Sequence, residues 1–244
     1  MKIRVINPNT TAAMTARIGA AARAVASAGT QIEAVQASFG APSIECHLDD
    51  VWAAAGVAEQ VRAGEAAGAQ AHIIACFGDP GLHAARELAP GPVIGIAEAA
   101  FHAASLLATG FSVVTTLTRT CVIAEHLVLQ YGFERRCRGI HGTDIAVLEL
   151  DDPASNAFAR SLDCAEQALQ HDRSGAIVLG CAGMADLCGA LQQRLGVPVI
   201  DGVGAAVKLA EALVALGLRT SKRGDYALPL AKPYAGLAAP FSPA

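Results

Sequence analysis

The sequence predicts an α/β protein of two similar lobes, each a four-stranded, mostly parallel sheet flanked by helices, with the lobes related by a pseudo-two-fold axis. Three observations predict it. Short β-branched runs alternate with Ala-rich segments of helical length, the pattern of strands joined by crossover helices. The runs are apolar throughout instead of alternating with polar residues, as strands covered on both faces are. Landmarks also recur at nearly one offset: Val5-Ile6-Asn7 and Val113-Val114-Thr115 lie 108 residues apart, Cys76 and Cys181 lie 105 apart, and Pro92-Val93-Ile94 and Pro198-Val199-Ile200 lie 106 apart. A period of that size marks an internal duplication.

The elements follow in order. "KIRVINP" opens the chain as a strand, and Thr10 to Ser27 reads as a helix with Thr10 or Thr11 available as its N-cap. "QIEAVQAS" is the second strand, and Asp49 to Ala67 a helix capped at Asp49 or Asp50. "HIIACF" is the third strand, Leu82 to Leu88 a short helix, and "PVIGIA" the fourth strand. The pattern then restarts with a helix from Glu98 to Leu107, strand "FSVVTT", helix Arg119 to Tyr131 and strand "CRGIHG". A helix over Asp152 to His171, strand "AIVLGC", helix Met184 to Leu195, strand "PVIDGV" and helix Gly204 to Leu216 complete it. Beyond Ser221 the Gly- and Pro-containing sequence reads as an ordered tail.

Composition narrows the functional classes. Hydrophobic residues make up 53% of the 244 and charged residues 16%. No apolar run reaches the roughly 18 residues of a membrane span, so no membrane association is expected. The segment "MKIRVINPN" lacks the apolar core of a secretion signal, which sets a cytoplasmic expectation. Net charge is −4, without a basic patch, so nucleic acid is a poor partner. The seven cysteines include no C-x-x-C pair and no zinc spacing, and an odd count argues against a disulfide framework. "GVGAAV" lacks dinucleotide-binding spacing. No metal or cofactor is expected, and the partner class left is a small molecule.

The duplication points to chemistry through the cysteines. Cys76 closes an apolar run and is followed by Phe-Gly-Asp-Pro-Gly; Cys181 closes another and is followed by Ala-Gly-Met. Ligands bind beyond the carboxyl ends of parallel strands, and both cysteines belong to that edge. Lobes facing each other across a two-fold axis would bring the two thiols to opposite sides of one cleft. Two opposed acid/base groups suit inversion of a carbon acid: a thiolate removes a proton from one face while a thiol supplies one to the other. Thiols titrate near ~8.5 and respond strongly to surroundings. Backbone N–H groups of Phe77, Gly78, Ala182 and Gly183 are placed to hold the anion formed.

The segments "VINPNTT", "ACFGDPGL", "IAEAAFHAA", "FSVVTTLTRT", "LGCAGM", "PVIDGV" and "LRTSK", spread from Val5 to Lys222, resemble the hydantoin racemases of the aspartate/glutamate racemase superfamily. That superfamily also holds allantoin racemase, maleate isomerase and arylmalonate decarboxylase. The resemblance implies cofactor-independent racemisation of 5-monosubstituted hydantoins, with Cys76 and Cys181 as the catalytic positions, and a homo-oligomer. It implies two lobes with the C-terminal helix returning to the first, that is, 1–97 with 204–244, and 98–203. Amino-acid racemases of the superfamily carry Cys-Asn-Thr and Cys-Thr-His where this chain has Cys-Phe-Gly and Cys-Ala-Gly. The missing side-chain donors argue for a neutral ring over a free amino acid. The C5 hydrogen of such a ring is flanked by a carbonyl and a nitrogen, and its loss gives an enolate centred on the C4 oxygen.

Further residues are assigned around that pair. Asn9, Thr115 and Thr116 are expected to line the cleft, with capping of the following helices as the competing use. Asp79 is placed as a partner of a ring N–H or as a turn residue before Pro80, and Ser43, in "FGAPSIE", as a substrate contact. Asp201 is expected to cap a helix. Cys46, Cys121, Cys137, Cys164 and Cys188 have no mate in the repeat and read as core thiols, and His47, His102 and His126 as surface or packing residues. The rivals to a hydantoin racemase are allantoin racemase, a decarboxylase needing one cysteine, and a two-lobed binding protein needing none.

Overall fold

In the computed structural model, which describes residues 1–243, β1 (Lys2–Asn7) lies between β2 (Gln31–Gln36) and β3 (Ala71–Ile74), and β4 (Val93–Gly95) extends the sheet beyond β3. The second half repeats this, with β5 (Phe111–Thr115) between β6 (Cys137–Gly142) and β7 (Ala176–Leu179), and β8 (Val199–Ile200) outside β7. All neighbours pair in parallel, and the orders β2-β1-β3-β4 and β6-β5-β7-β8 are the same. The period seen in the sequence is therefore a duplicated four-stranded unit. Every residue of β3, β5 and β7 is buried, which is why these strands read as unbroken apolar runs.

The helices are α1 (Ala12–Val25), α2 (His47–Ala66), α3 (Leu82–Leu88), α4 (Ile96–Leu107), α5 (Cys121–Gln130), α6 (Ala157–Asp172), α7 (Cys188–Leu195) and α8 (Gly202–Ala215). Helix α8 packs back on β3 and β4, and α4 packs on β7 and β8 as well as on α8. The two helices thus tie the sheets together, and one apolar cluster runs through both, from Ile3 and Ile73 through Phe101 and Phe111 to Val178 and Val203. Each sheet also has its own outer cluster, around Ile6, Val57 and Ile74 in the first and Val114, Leu162 and Ile177 in the second.

Several boundaries differ from the sequence expectation. Helix α2 begins at His47, not Asp49: the Asp49 carboxylate accepts the Glu45 N–H (3.0 Å) from inside the first turn. Thr11 is at the N-cap of α1, but its hydroxyl donates to the Pro42 carbonyl and the Thr11 N–H is taken by Asn9. Residues 182–187 wind as a 3₁₀ turn, so α7 starts only at Cys188. Asp201 caps α8 as expected, accepting from the Val203 and Gly204 N–H groups. No helix among the described residues is long and apolar enough to cross a membrane.

Candidate active site

The apolar runs "HIIACF" and "AIVLGC" do not stay strand to their ends. The last ladder bonds are those of the Ala75 N–H to Ile6 (2.8 Å) and of the Gly180 N–H to Val114 (2.8 Å). One residue further, with no neighbouring strand left to pair, each cysteine starts a tight turn. The Cys76 carbonyl accepts the Asp79 N–H (3.0 Å) and the Cys181 carbonyl accepts the Met184 N–H (3.0 Å). The same local geometry at both positions follows from the same topology. It places the two cysteines on the walls of a single cleft at the carboxyl edges of the two sheets. Neither is in a disulfide.

The thiol environments are alike in design and unlike in charge. The Gly78 N–H points at the Cys76 sulfur and the Gly183 N–H at the Cys181 sulfur, each favouring the thiolate. This is a use of the two N–H groups that the sequence, which suggests them as holders of a substrate anion, does not announce. Burial opposes them and raises both thiols. Cys76 is pushed up strongly, first by burial and then by the negative neighbours Cys181, Asp50 and Asp79. Cys181 is pushed up by burial to about 11, with the Gly183 N–H and the positive Arg17 holding it down. Burial thus favours the protonated form of both thiols, and the negative neighbours add to it at Cys76.

Other side chains fix the turns. Thr115 lines the cleft, and its hydroxyl donates to the Gly180 carbonyl (2.8 Å), pinning the residue before Cys181. Gly180 has room for nothing more, since a Cβ there would lie 2.5 Å from that of Thr115. Asn9 is buried in the cleft wall, its Oδ1 accepting from Asn7 Nδ2 (2.7 Å) and the Thr11 N–H (2.9 Å). Among the described residues its own Nδ2 meets only the Met14 thioether (3.1 Å), a weak acceptor, so donor capacity remains for a ligand. Thr116, Phe77 and Ala182 also line the cleft, and the Phe77 ring is anchored edge-on against Phe101 at 5.6 Å.

Three of the expected site residues sit elsewhere. Asp79 turns away from the cleft: its carboxylate accepts the Ala97 (3.1 Å) and Glu98 (3.0 Å) N–H groups at the start of α4, and the Tyr131 hydroxyl (2.9 Å). It occupies the space a Cβ at Gly95 would need, it adopts a positive φ of 45°, and burial raises it to about 7. Asp79 is thus a prop joining the Cys76 turn to α4, because three donors converge there and none faces the cleft. Ser43 lies beside the wall, and its neighbour Ile44 takes the lining position. Gly183 lies behind Cys181, where a Cβ would be 2.8 Å from Leu150 Cδ1.

Two kinds of lining residue escaped the sequence reading. Ile44, Ile123 and Val147 give the cleft apolar walls, and nothing in sequence separates them from core residues. Asp50 also lines it. The signal there was an acidic pair at a helix start after a strand-end loop, which reads equally well as capping.

The cleft thus brings together two thiols, backbone donors and apolar walls, groups of the kind that can support acid/base chemistry on a small molecule. The chain belongs to the Asp/Glu/Hydantoin racemase family, whose model matches residues 3–210, and it is an isomerase, a racemase. A hydantoin racemase of Rhizobium meliloti is 49% identical over 97% of this chain and 98% of its own length. The solved allantoin racemase from Klebsiella pneumoniae is 58% identical, with a TM-score of 0.97 over 100% of this chain and 99% of that one. Arylmalonate decarboxylase, 19% identical over 93% of this chain and 97% of that one with a TM-score of 0.64, shares the two-lobed fold.

Proposed function

We propose that the protein racemises 5-monosubstituted hydantoins, allantoin (5-ureidohydantoin) among them, by a two-cysteine acid/base mechanism that needs no cofactor. The observation that carries the reading is the pairing of Cys76 and Cys181 on one cleft, each in the same turn and each with an N–H directed at its sulfur. A thiolate takes the C5 proton; the C–H electrons pass into the ring as an enolate whose charge falls on the C4 oxygen. The opposite thiol then delivers its proton to the other face of C5. The stereocentre is inverted and the two sulfurs have exchanged protonation states. Phe77 and Ala182 N–H groups and the Asn9 amide are the donors left for the ring oxygens.

The hydantoin racemases and the allantoin racemase to which the chain is similar support this substrate class, and the loops after the cysteines carry no cationic side chain for a free α-carboxylate. The reading is tested by following loss of optical rotation of L- and D-benzylhydantoin, allantoin, aspartate and glutamate. Decay to zero rotation is expected for the hydantoins alone. Racemisation of aspartate or glutamate at a comparable rate contradicts the assignment.

A further inference from the structure

A hydantoin ring carries two N–H donors, and a ureido substituent adds more. A cleft that buries them must offer acceptors, because an unpaired buried donor is costly. The polar acceptors of the wall are mostly in use. Asn9 Oδ1 holds Asn7 Nδ2 and the Thr11 N–H, Asn7 Oδ1 takes the Asn9 N–H (3.3 Å), and the Gly180 carbonyl takes the Thr115 hydroxyl.

Asp50 is different. It stands in the first turn of α2, it is the one carboxylate among the described lining residues, and it is half-buried. Its Oδ1 lies 3.4 Å from where a Cβ of Gly78 would be, and that point is 3.9 Å from the Cys76 sulfur. The carboxyl is thus over the turn that carries the Cys76 thiol. Among the described residues no hydrogen bond or ion pair is made to it, and burial raises its pKa.

From this geometry we infer that Asp50 is a substrate-binding residue whose carboxylate accepts an N–H of the bound hydantoin, fixing the ring beside Cys76. The inference rests on the hydantoin reading above and adds a residue to it. The donor is either a ring N–H, common to every substrate of the class, or a ureido N–H, present in allantoin alone of the two substrates tested.

The experiment measures kcat and KM for allantoin and 5-benzylhydantoin with the parent, Asp50→Ala and Asp50→Asn. A hydrogen bond to a charged acceptor corresponds to a loss of about 10- to 100-fold. That loss is expected in kcat/KM of Asp50→Ala and carried chiefly by KM, as for binding common to ground and transition states. Asp50→Asn keeps one carbonyl acceptor and should lose less. A loss on both substrates assigns the bond to a ring N–H; a loss on allantoin alone assigns it to the ureido group. Two results overturn the proposal: both variants within twofold of the parent on both substrates, or a fall in kcat with KM unchanged, which would make Asp50 a modulator of the thiol. A parent inactive on both hydantoins instead refutes the proposed function, and the Asp50 assignment with it.

Discussion

Phe101 joins the scaffold to the Cys76 turn, and replacing it should damage both. The side chain is fully buried in α4. It packs against Phe111 at 5.4 Å, Phe77 at 5.6 Å, Phe133 at 5.7 Å and Tyr131 at 6.3 Å between ring centroids. Phe→Ala in a core costs about 3–5 kcal/mol, and a well-placed aromatic pair contributes about 0.5–1.5 kcal/mol beyond burial. With four ring partners, Phe101→Ala belongs at the upper end, about 5 kcal/mol. Phe101→Leu keeps most of the apolar volume and forfeits chiefly the ring pairs, about 2–3 kcal/mol. Urea unfolding followed by circular dichroism measures both. Because Phe77 directly follows Cys76 and leans on this ring, Phe101→Leu should also lose about tenfold in kcat/KM at temperatures where it remains folded, since a misplacement of a full ångström can cost about 100-fold and the shift expected here is smaller. A Phe101→Ala destabilisation below about 1 kcal/mol, or a Phe101→Leu enzyme of parent activity, would refute the argument that this cluster holds the site.

Three further outcomes are expected. Both thiols are raised and Cys181 less so, to about 11, so iodoacetamide followed by peptide mass analysis should modify Cys181 before Cys76, with a rate still rising at pH 9 to 10 because only the thiolate reacts; earlier modification of Cys76 contradicts the charge asymmetry. Thr115→Val removes the 2.8 Å donor of the Gly180 carbonyl, which should cost about 1–3 kcal/mol in thermal unfolding and lower kcat/KM, while Thr115→Ser restores both. Burial lifts Asp79 to about 7 from an ordinary 3.8, so the folded protein keeps a proton that the unfolded chain releases. That stabilisation is complete below about pH 4 and is lost as pH rises through about 7. Relative to Asp79→Asn, the parent should lose up to about 4 kcal/mol across that window, and a flat difference curve would show that Asp79 is ionised throughout.

The duplicated sheet was legible because its signals are local: apolar β-branched runs of strand length, repeated at one offset. The cysteine pair was legible for the same reason, since two residues at the same place in two copies of one unit must end on equivalent edges. Boundaries were less so. Asp49 has the look of a cap but works from inside the turn that His47 begins, and residues 182–187 compose like a helix yet wind as 3₁₀. Asp79 and Asp50 show the deeper limit. Asp79 sits three residues after the cysteine and reads as a cleft residue or a turn residue before Pro80, but its partners come from residues 97, 98 and 131, contacts that no local pattern announces. Asp50 looks like a capping residue and is a cleft wall, because which face of a helix's first turn meets the cleft is decided by the packing of α2 on the sheet.

The central claim, one thiol for each face of C5, is tested most directly by hydrogen exchange in deuterated water. Cys76→Ser and Cys181→Ser are each incubated with each enantiomer of a 5-substituted hydantoin, and the C5 proton signal is followed by NMR together with optical rotation. Serine is too weak an acid and base near neutral pH to replace a thiol, so neither variant should racemise. The remaining thiolate still reaches one face, removes that proton and returns deuterium to the same side. Each variant should therefore exchange one enantiomer with retention, and the two variants should exchange opposite enantiomers. Racemisation by either variant near the parent rate, or exchange of the same enantiomer by both, would contradict the account.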